Sequence, residues 1–164
     1  MKNKWNAQII TASAAIAALY VVLTMIAAAF GLASGAVQVR LSEALCILPV
    51  LTYAAVPGLT IGCALANLLT GCLAWDVVFG SLATLLGALG TRLMKKKPQW
   101  AWIPPVVSNT IIVPIVLQQV YGVPDSWWFL ALTVGAGELI SCGLLGLMLL
   151  KGIEKVPSLK KNWN

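Results

Sequence analysis

Long apolar runs separated by short polar breaks dominate the chain. Apolar residues fill six stretches with few interruptions, and a helix that spans a membrane needs about 20 such residues. The pattern therefore predicts an all-α membrane protein, a compact bundle of six transmembrane helices joined by short loops. The predicted spans are residues 7–30, 44–56, 59–74, 76–93, 100–120 and 127–150.

The second and third predicted spans are both short for a full crossing of the bilayer. Pro57-Gly58, a dipeptide typical of turns, stands between them and favours two separate helices. The alternative is one kinked helix over residues 44–74, which would give five spans in total.

The distribution of basic residues distinguishes six spans from five. Cytoplasmic loops carry an excess of Lys and Arg, and an even number of spans places both termini on one side. With six spans, Arg40 is the only basic residue outside, whereas five spans would export the basic C-terminal tail. We therefore expect six spans, both termini cytoplasmic, and one domain over residues 1–164. The residues then in the cytoplasm are Lys2, Lys4, Arg92, Lys95, Lys96, Lys97, Lys151, Lys155, Lys160 and Lys161.

Composition agrees with a chain that lies almost wholly in the membrane. Hydrophobic residues make up 60% of the 164 positions and charged residues 10%, whereas a soluble domain carries about 25% charged residues. The net charge of +6 is explained by membrane topology better than by binding to nucleic acid. The first apolar run has no obvious small-residue cleavage site, so we interpret it as a retained span.

Several functional classes lack the residues that they need. The chain contains no histidine and no CxxC pair, so the usual zinc and Ser-His sites cannot be built. The four cysteines are expected to be small packing residues, and no P-loop is present. We expect neither an enzyme nor a bound cofactor or metal. Uphill transport would draw its energy from a partner protein or an ion gradient.

Polar residues inside the apolar runs are candidates for function, because charge in a membrane is costly. Glu138 lies about 11 residues into the last span, near mid-membrane, and no basic residue is expected at that depth. Asn109 in the fifth span, Asn67 in the third and Gln118 near the outer end of the fifth are candidates to line a cavity. The alternative for each is a structural hydrogen bond between helices.

A second group of candidates lies at the predicted outer boundary. Arg40, Glu43 and Asp76 are placed where a ligand could reach them. Alternatively, Arg40 pairs with Glu43, and Asp76 caps a helix, as Asp125 and Ser126 are expected to do.

Aromatic residues cluster at the same boundary. An interfacial aromatic belt is the ordinary explanation, and stacking on a flat ligand is the functional alternative. The residues concerned are Trp75, Tyr121, Trp127 and Trp128.

Five stretches carry a family resemblance. Ala14 and Ala18 match the Ala-x-x-x-Ala pattern of the substrate-binding (S) components of energy-coupling factor transporters, and alanines four apart let a partner helix approach closely. Residues 37–45, 57–62, 76–81 and 135–138 read VQVRLSEAL, PGLTIG, DVVFGS and GAGE. They resemble the QueT family, S-components for queuosine precursors, and the resemblance covers nearly the whole chain.

This resemblance implies a substrate-binding subunit in the bacterial plasma membrane, with its site open to the outside. It implies a membrane coupling subunit as partner, which would dock on Ala14 and Ala18, and two cytoplasmic ATPases. The ligand it implies is a 7-deazaguanine: 7-aminomethyl-7-deazaguanine, its nitrile precursor or queuine.

The candidate residues suit such a ligand. A carboxylate at Glu138 can accept the two adjacent N–H donors of a guanine-type edge. Asn109 and Gln118 can bind the neighbouring carbonyl and ring nitrogen. An aminomethyl cation would favour a second carboxylate, Asp76 or Glu43, and the flat ring would stack on Trp or Tyr.

Three other functions stay open from the sequence. An S-component for biotin, riboflavin or another vitamin would share the fold. A membrane scaffold subunit without a ligand would use Glu138 only as a contact between helices. Inverted repeats would favour a stand-alone ion-coupled carrier, and the sequence shows none.

Overall fold

A computed structural model describes residues 7–31 and 39–155, and all regular structure in those ranges is helical. The α-helices are α1 (Ala7–Ala29), α2 (Ala55–Leu69), α3 (Ala74–Leu93), α4 (Ile103–Gln119), α5 (Trp127–Glu138) and α6 (Gly146–Glu154). A 3₁₀ helix (Leu41–Val50) precedes α2, and a π-helical segment (Leu139–Leu145) joins α5 to α6. Two short 3₁₀ turns, Met94–Lys96 and Pro98–Trp100, connect α3 to α4. The prediction of an all-α protein is confirmed.

Four helical stretches have the length and the apolar composition to cross a bilayer. They are Ala7–Ala29, Ala74–Lys96, Pro98–Gln119 and Trp127–Glu154. The other two apolar helices, Leu41–Val50 and Ala55–Leu69, are shorter. The count of six spans and the cytoplasmic location of both termini stay predictions, and residues 1–6 and 156–164 lie outside the described ranges.

The exposed faces of the long helices are apolar. Large hydrophobic side chains such as Phe30, Leu69, Leu93 and Leu132 are exposed. In water, so much contiguous apolar surface would drive aggregation, whereas in a bilayer it contacts lipid.

The 3₁₀ helix Leu41–Val50 forms the centre of the bundle. Eight of its ten residues are buried, and it packs against α1, α2, α3, α6 and the π-helical segment. A 3₁₀ helix has three residues per turn, so residues i and i+3 lie one above the other. Glu43 and Cys46 are therefore on the same side of this helix.

Arg92 of α3 closes the C-terminal end of the 3₁₀ helix. Its Nη1 atom donates hydrogen bonds to the backbone oxygens of Pro49 at 3.0 Å and Val50 at 3.4 Å. Carbonyls at a helix end have no partner within the helix, and Arg92 supplies one from the neighbouring span.

The predicted turn at Pro57-Gly58 is wrong, because the chain breaks earlier, between Val50 and Ala55. Pro57 lies in the first turn of α2, where the N–H that proline lacks would have no helical partner. Gly58 lets α2 approach α1 closely, since a Cβ atom there would lie 2.8 Å from the backbone oxygen of Ser13. The dipeptide therefore lies in the first turn of α2 and in its contact with α1.

Candidate ligand-binding site

A cavity of about 370 Å³ lies at one end of the bundle. Its walls come from the C-terminal parts of α1, α2 and α4, the start of α3 and the segment before the 3₁₀ helix. Since α3 runs from the cavity to Lys95 and its neighbours, the cavity and this basic loop are at opposite ends. Small-molecule sites commonly measure about 300–1,000 Å³. The lining residues are Tyr20, Thr24, Ala27, Ala28, Arg40, Ser42, Asn67, Thr70, Cys72, Asp76, Leu117, Tyr121 and Val123.

Asp76 and Tyr121 form a polar wall of this cavity. The Tyr121 hydroxyl donates a hydrogen bond to Asp76 Oδ2 at 2.8 Å and accepts one from the backbone N–H of Leu73 at 3.2 Å. Partial burial and the hydrogen bond to Asp76 raise the pKa of Tyr121 to about 12. The phenol therefore keeps its proton at physiological pH and stays a donor to the carboxylate.

The interpretation of Asp76 as a helix cap is wrong. Leu73 is the N-cap residue of α3, and Asp76 is the third residue of the helix, with its side chain at the cavity. Ser126 does cap α5, since its Oγ accepts a hydrogen bond from the Phe129 N–H at 3.4 Å.

Arg40 and Asn67 border the cavity from two other sides. Arg40 is fixed through its backbone N–H, which donates to Ser141 Oγ at 3.2 Å. Asn67 is buried where α2 meets α3, and a Cβ atom at Gly80 would lie 2.9 Å from its Nδ2 atom. The glycine therefore leaves the space that the Asn67 amide occupies.

Two buried carboxylates lie next to the cavity, Glu43 at 1% and Glu138 at 5% exposure. The Tyr20 hydroxyl donates a hydrogen bond to Glu43 Oε1, and Tyr20 also lines the cavity. Cys142 Sγ donates to Glu138 Oε2 at 3.2 Å. Tyr20 thus connects the cavity wall to a polar layer inside the bundle.

Glu138 has a basic neighbour, contrary to the expectation from the sequence. The charge of Arg40 acts on both Glu43 and Glu138, and the Asn109 side chain interacts with the Glu138 carboxyl. The reason is the path of the chain: Arg40 enters the buried 3₁₀ helix rather than a loop remote from the last span.

The structure thus brings most of the predicted polar candidates into one region, in two layers. Arg40, Asn67 and Asp76 border the cavity. Glu43 and Glu138 lie in the adjoining buried layer, where Asn109 contacts Glu138.

The remaining candidates lie apart from the cavity wall. Gln118 donates from Nε2 to the backbone oxygen of Asp125 at 2.8 Å, a contact between the last turn of α4 and the segment before α5. Trp75 is 63% exposed and stacks on Phe79 with the ring centroids 6.0 Å apart.

Trp127 and Trp128 make an edge-to-face pair with centroids 4.8 Å apart, and Trp128 is 74% exposed. This arrangement is typical of residues at a membrane interface. Of the four predicted aromatic candidates, Tyr121 is the one that lines the cavity.

Ala14 and Ala18 are exposed on α1, on the side away from its buried residues Ser13, Ala17 and Tyr20. The strip is therefore accessible to a second helix.

Sequence reasoning missed Tyr20 and the polar roles of Cys46 and Cys142. Cys46 Sγ donates to Glu43 Oε2 at 2.8 Å, so this thiol is more than a packing group. Tyr20 and Cys142 lie in apolar runs where sequence reasoning found no pattern that marks them. The signal that could have singled out Cys46 is its spacing of three from Glu43.

Fold and cavity together define a multi-pass helical membrane protein with a cavity of the size of a small-molecule site at one end of the bundle. The chain belongs to the QueT transporter family, whose model matches residues 10–155. It is 35% identical over 105 residues to the queuosine precursor transporter QueT of Lactococcus lactis subsp. cremoris (strain MG1363). That alignment covers 62% of this chain and 60% of the relative's length. No solved structure matches the chain.

Proposed function

We propose that this chain is the substrate-binding subunit of an energy-coupling factor importer and that its cavity binds a queuosine precursor of the 7-deazaguanine type. Family membership and the name of the relative support the class of substrate. The cavity carries the proposal, because it places Arg40, Asn67 and Asp76 around about 370 Å³ of space in a bundle whose exposed faces are apolar.

Asp76 is the proposed partner of the aminomethyl cation. A carboxylate has four lone-pair sites, so Asp76 can accept the ligand while it keeps its hydrogen bond from Tyr121. A cation paired with a carboxylate gives the stronger, charge-assisted kind of hydrogen bond. This contact would favour the aminomethyl form over its uncharged nitrile precursor.

Glu138 stays the proposed acceptor for the two N–H donors of the guanine-type edge, with Asn109 beside it. Its carboxyl is buried and is not part of the cavity lining, so this contact requires the ring to reach beyond the cavity wall. Gln118 would contribute only after its hydrogen bond to Asp125 opens. Tyr20 and Tyr121, which line the cavity, replace the tryptophans as proposed stacking partners.

The proposed assembly contains a membrane coupling subunit and two cytoplasmic ATPases, which would supply the energy for import. The exposed strip of Ala14 and Ala18 is the proposed docking surface, because small side chains allow close contact between helices in lipid. The cavity would open to the outside, since it lies at the opposite end from the basic loop at Lys95.

Thermal unfolding of the purified chain in detergent, with a panel of ligands, tests the proposed substrate class. The panel contains 7-aminomethyl-7-deazaguanine, its nitrile precursor, queuine, guanine, biotin and riboflavin. A ligand that binds only the folded state at 100 times its Kd stabilises the protein by about 2.7 kcal/mol. We expect a stabilisation of this order with a deazaguanine and none with biotin or riboflavin.

Stabilisation by biotin or riboflavin alone would replace the proposed substrate with a vitamin. No stabilisation by any member of the panel would overturn the proposed function and favour a scaffold subunit.

A further inference from the structure

Two cysteines and a carboxylate meet in the buried layer beside the cavity. The Sγ atoms of Cys46 and Cys142 and a carboxylate oxygen of Glu43 all lie within 4.8 Å of one another. Each of these residues is only 1% exposed. They come from the 3₁₀ helix and from the π-helical segment, 96 residues further along the chain.

Local helix geometry produces this convergence. The 3₁₀ helix places Glu43 and Cys46 on one side, three residues apart. On the facing element, Glu138 immediately precedes the π-helical segment and Cys142, four residues later, lies in its middle; such segments are frequent at functional sites. Cys142 Sγ also donates to the backbone oxygen of Glu43 at 3.4 Å, which joins the two elements directly.

The donor set has the composition of a soft metal site. Thiolate sulfur selects Zn²⁺ and similar ions, and a carboxylate oxygen is a regular additional ligand. Around a tetrahedral Zn²⁺ with bond lengths of about 2.3 Å to sulfur and 2.0 Å to oxygen, neighbouring sulfur and oxygen ligands lie roughly 3.5 Å apart. The observed separation of 2.8 Å between Cys46 Sγ and Glu43 Oε2 reaches that value with a small side-chain movement.

The surroundings supply a fourth position, an orienting group and an entry route. Glu138 Oε2 lies 3.2 Å from Cys142 Sγ, next to the three donors. The Tyr20 hydroxyl donates to the other oxygen of Glu43, as groups outside a coordination shell commonly do. Because Tyr20 lines the cavity, an ion can enter from there.

Charge also favours a cation in this layer. Two carboxylates, Glu43 and Glu138, are buried together in a region where Arg40 acts on both. Buried charges in proteins are paired or coordinate metals. A divalent ion would become the partner of these carboxylates, and the two thiol protons that it displaces would be released to the solvent.

Contrary to the expectation from the sequence that no metal is bound, we propose that Cys46, Cys142 and Glu43 form a binding site for a soft divalent metal ion such as Zn²⁺, with Glu138 or a water as the fourth ligand. Binding would link the 3₁₀ helix to the π-helical segment beneath the cavity. The proposal does not rest on the proposed substrate, and with Glu138 as the fourth ligand the ion and the guanine-type edge would compete for this carboxylate.

Binding of Cd²⁺ and Zn²⁺ to the full chain in detergent tests the site. The protein is first treated with a chelator and a non-thiol reductant, and no deazaguanine is added. Cd²⁺ bound to thiolates gives a charge-transfer absorption in the ultraviolet, and metal analysis after desalting gives the stoichiometry. We expect the wild-type chain to bind one ion. Cys46→Ser and Cys142→Ser should each bind Cd²⁺ at least 10-fold more weakly, since even the loss of a group outside the coordination shell lowers metal affinity about 10–100-fold.

The two remaining cysteines provide the matched control. Cys63 is buried and Cys72 is half-buried at the cavity, and the double variant Cys63→Ser/Cys72→Ser should bind Cd²⁺ as the wild-type chain does. Zn²⁺ should also raise the unfolding temperature of this double variant, since the ion binds the folded site.

Glu43→Gln keeps both thiols and tests the site if a cysteine variant fails to fold. It should bind Cd²⁺ at least 10-fold more weakly. Unchanged binding after loss of Cys46 or Cys142, binding lost in Cys63→Ser/Cys72→Ser, or no bound ion in the wild-type chain would overturn the proposal.

Discussion

At the scale of single residues, Asp76 is the carboxylate on the cavity wall, and a neighbouring phenol holds it in place. Tyr121 donates to its Oδ2 atom at 2.8 Å, and the Tyr121 hydroxyl in turn accepts the backbone N–H of Leu73. The negative charge of Asp76 is therefore oriented toward a ligand that enters the cavity.

Asp76→Asn should weaken binding of 7-aminomethyl-7-deazaguanine about 10-fold to 100-fold. A hydrogen bond to a charged group contributes about 1.5–3 kcal/mol, and about 1.4 kcal/mol corresponds to a tenfold change in Kd. The uncharged nitrile precursor should lose much less affinity, because it has no cation for Asp76 to pair with. Isothermal titration with both ligands measures the difference.

Asp125→Asn is the matched control, because Asp125 is exposed in the turn before α5. Its affinity for both ligands should equal that of the wild-type chain. An Asp76→Asn variant that lost affinity equally for both ligands would show that Asp76 does not bind the aminomethyl group.

Residues of the site could be predicted where polarity contrasts with the surrounding sequence. Glu138 and Asn109 are polar positions in apolar runs, and the structure brings them together. Tyr20, Cys46 and Cys142 have side chains that are common in membrane helices. Their roles depend on contacts between distant parts of the chain, which local pattern does not encode.

At the scale of helices, the contact between α1 and α2 depends on two glycines. A Cβ atom at Gly58 would lie 2.8 Å from the Ser13 backbone oxygen, and one at Gly62 would lie 2.8 Å from Tyr20 Cβ. Neither neighbour is the end of a flexible side chain, so added bulk must separate the helices.

Gly58→Ala should destabilise the protein by about 1–3 kcal/mol, the usual cost of overpacking a well-packed contact. Thermal unfolding in detergent measures the effect. Gly152→Ala on α6 is the control, because a Cβ atom there has no neighbour within 4 Å, and alanine is the better helix former. Equal unfolding temperatures for the two variants would contradict this account of the contact between α1 and α2.

The long helices could be predicted from apolar length alone, whereas the two short helices are predicted as apolar segments, residues 44–56 and 59–74, whose bounds differ from those in the structure. The span predicted over residues 100–120 corresponds to α4 and the turn before it. The 3₁₀ helix is buried on nearly every side, so it shows no alternation between apolar and polar positions. The turn predicted at Pro57-Gly58 is wrong because a proline followed by glycine is compatible with both a turn and the first turn of a helix.

At the scale of the whole molecule, the two ends of the bundle differ in chemistry. The cavity with Asp76 and Arg40 lies at one end, and the exposed Lys95, Lys96 and Lys97 lie at the other. The excess of basic residues favours the cytoplasm for the second end.

Cysteine labelling in intact cells should show this orientation. A membrane-impermeant maleimide should react with Cys72, which lines the cavity and is half-buried. In a Cys72→Ser background, Lys96→Cys should react only after the cells are permeabilised. Reaction of Lys96→Cys in intact cells would reverse the proposed orientation.

The central claim is that this cavity is where the precursor binds, and a pair of neighbouring alanines tests it most directly. Ala28 lines the cavity, and Ala29 is exposed beside it at the end of α1. We predict that Ala28→Phe, which fills the cavity, weakens binding of 7-aminomethyl-7-deazaguanine at least 10-fold in isothermal titration. Ala29→Phe should bind as the wild-type chain does. Equal, undiminished binding by both variants would place the ligand elsewhere in the protein and contradict the account.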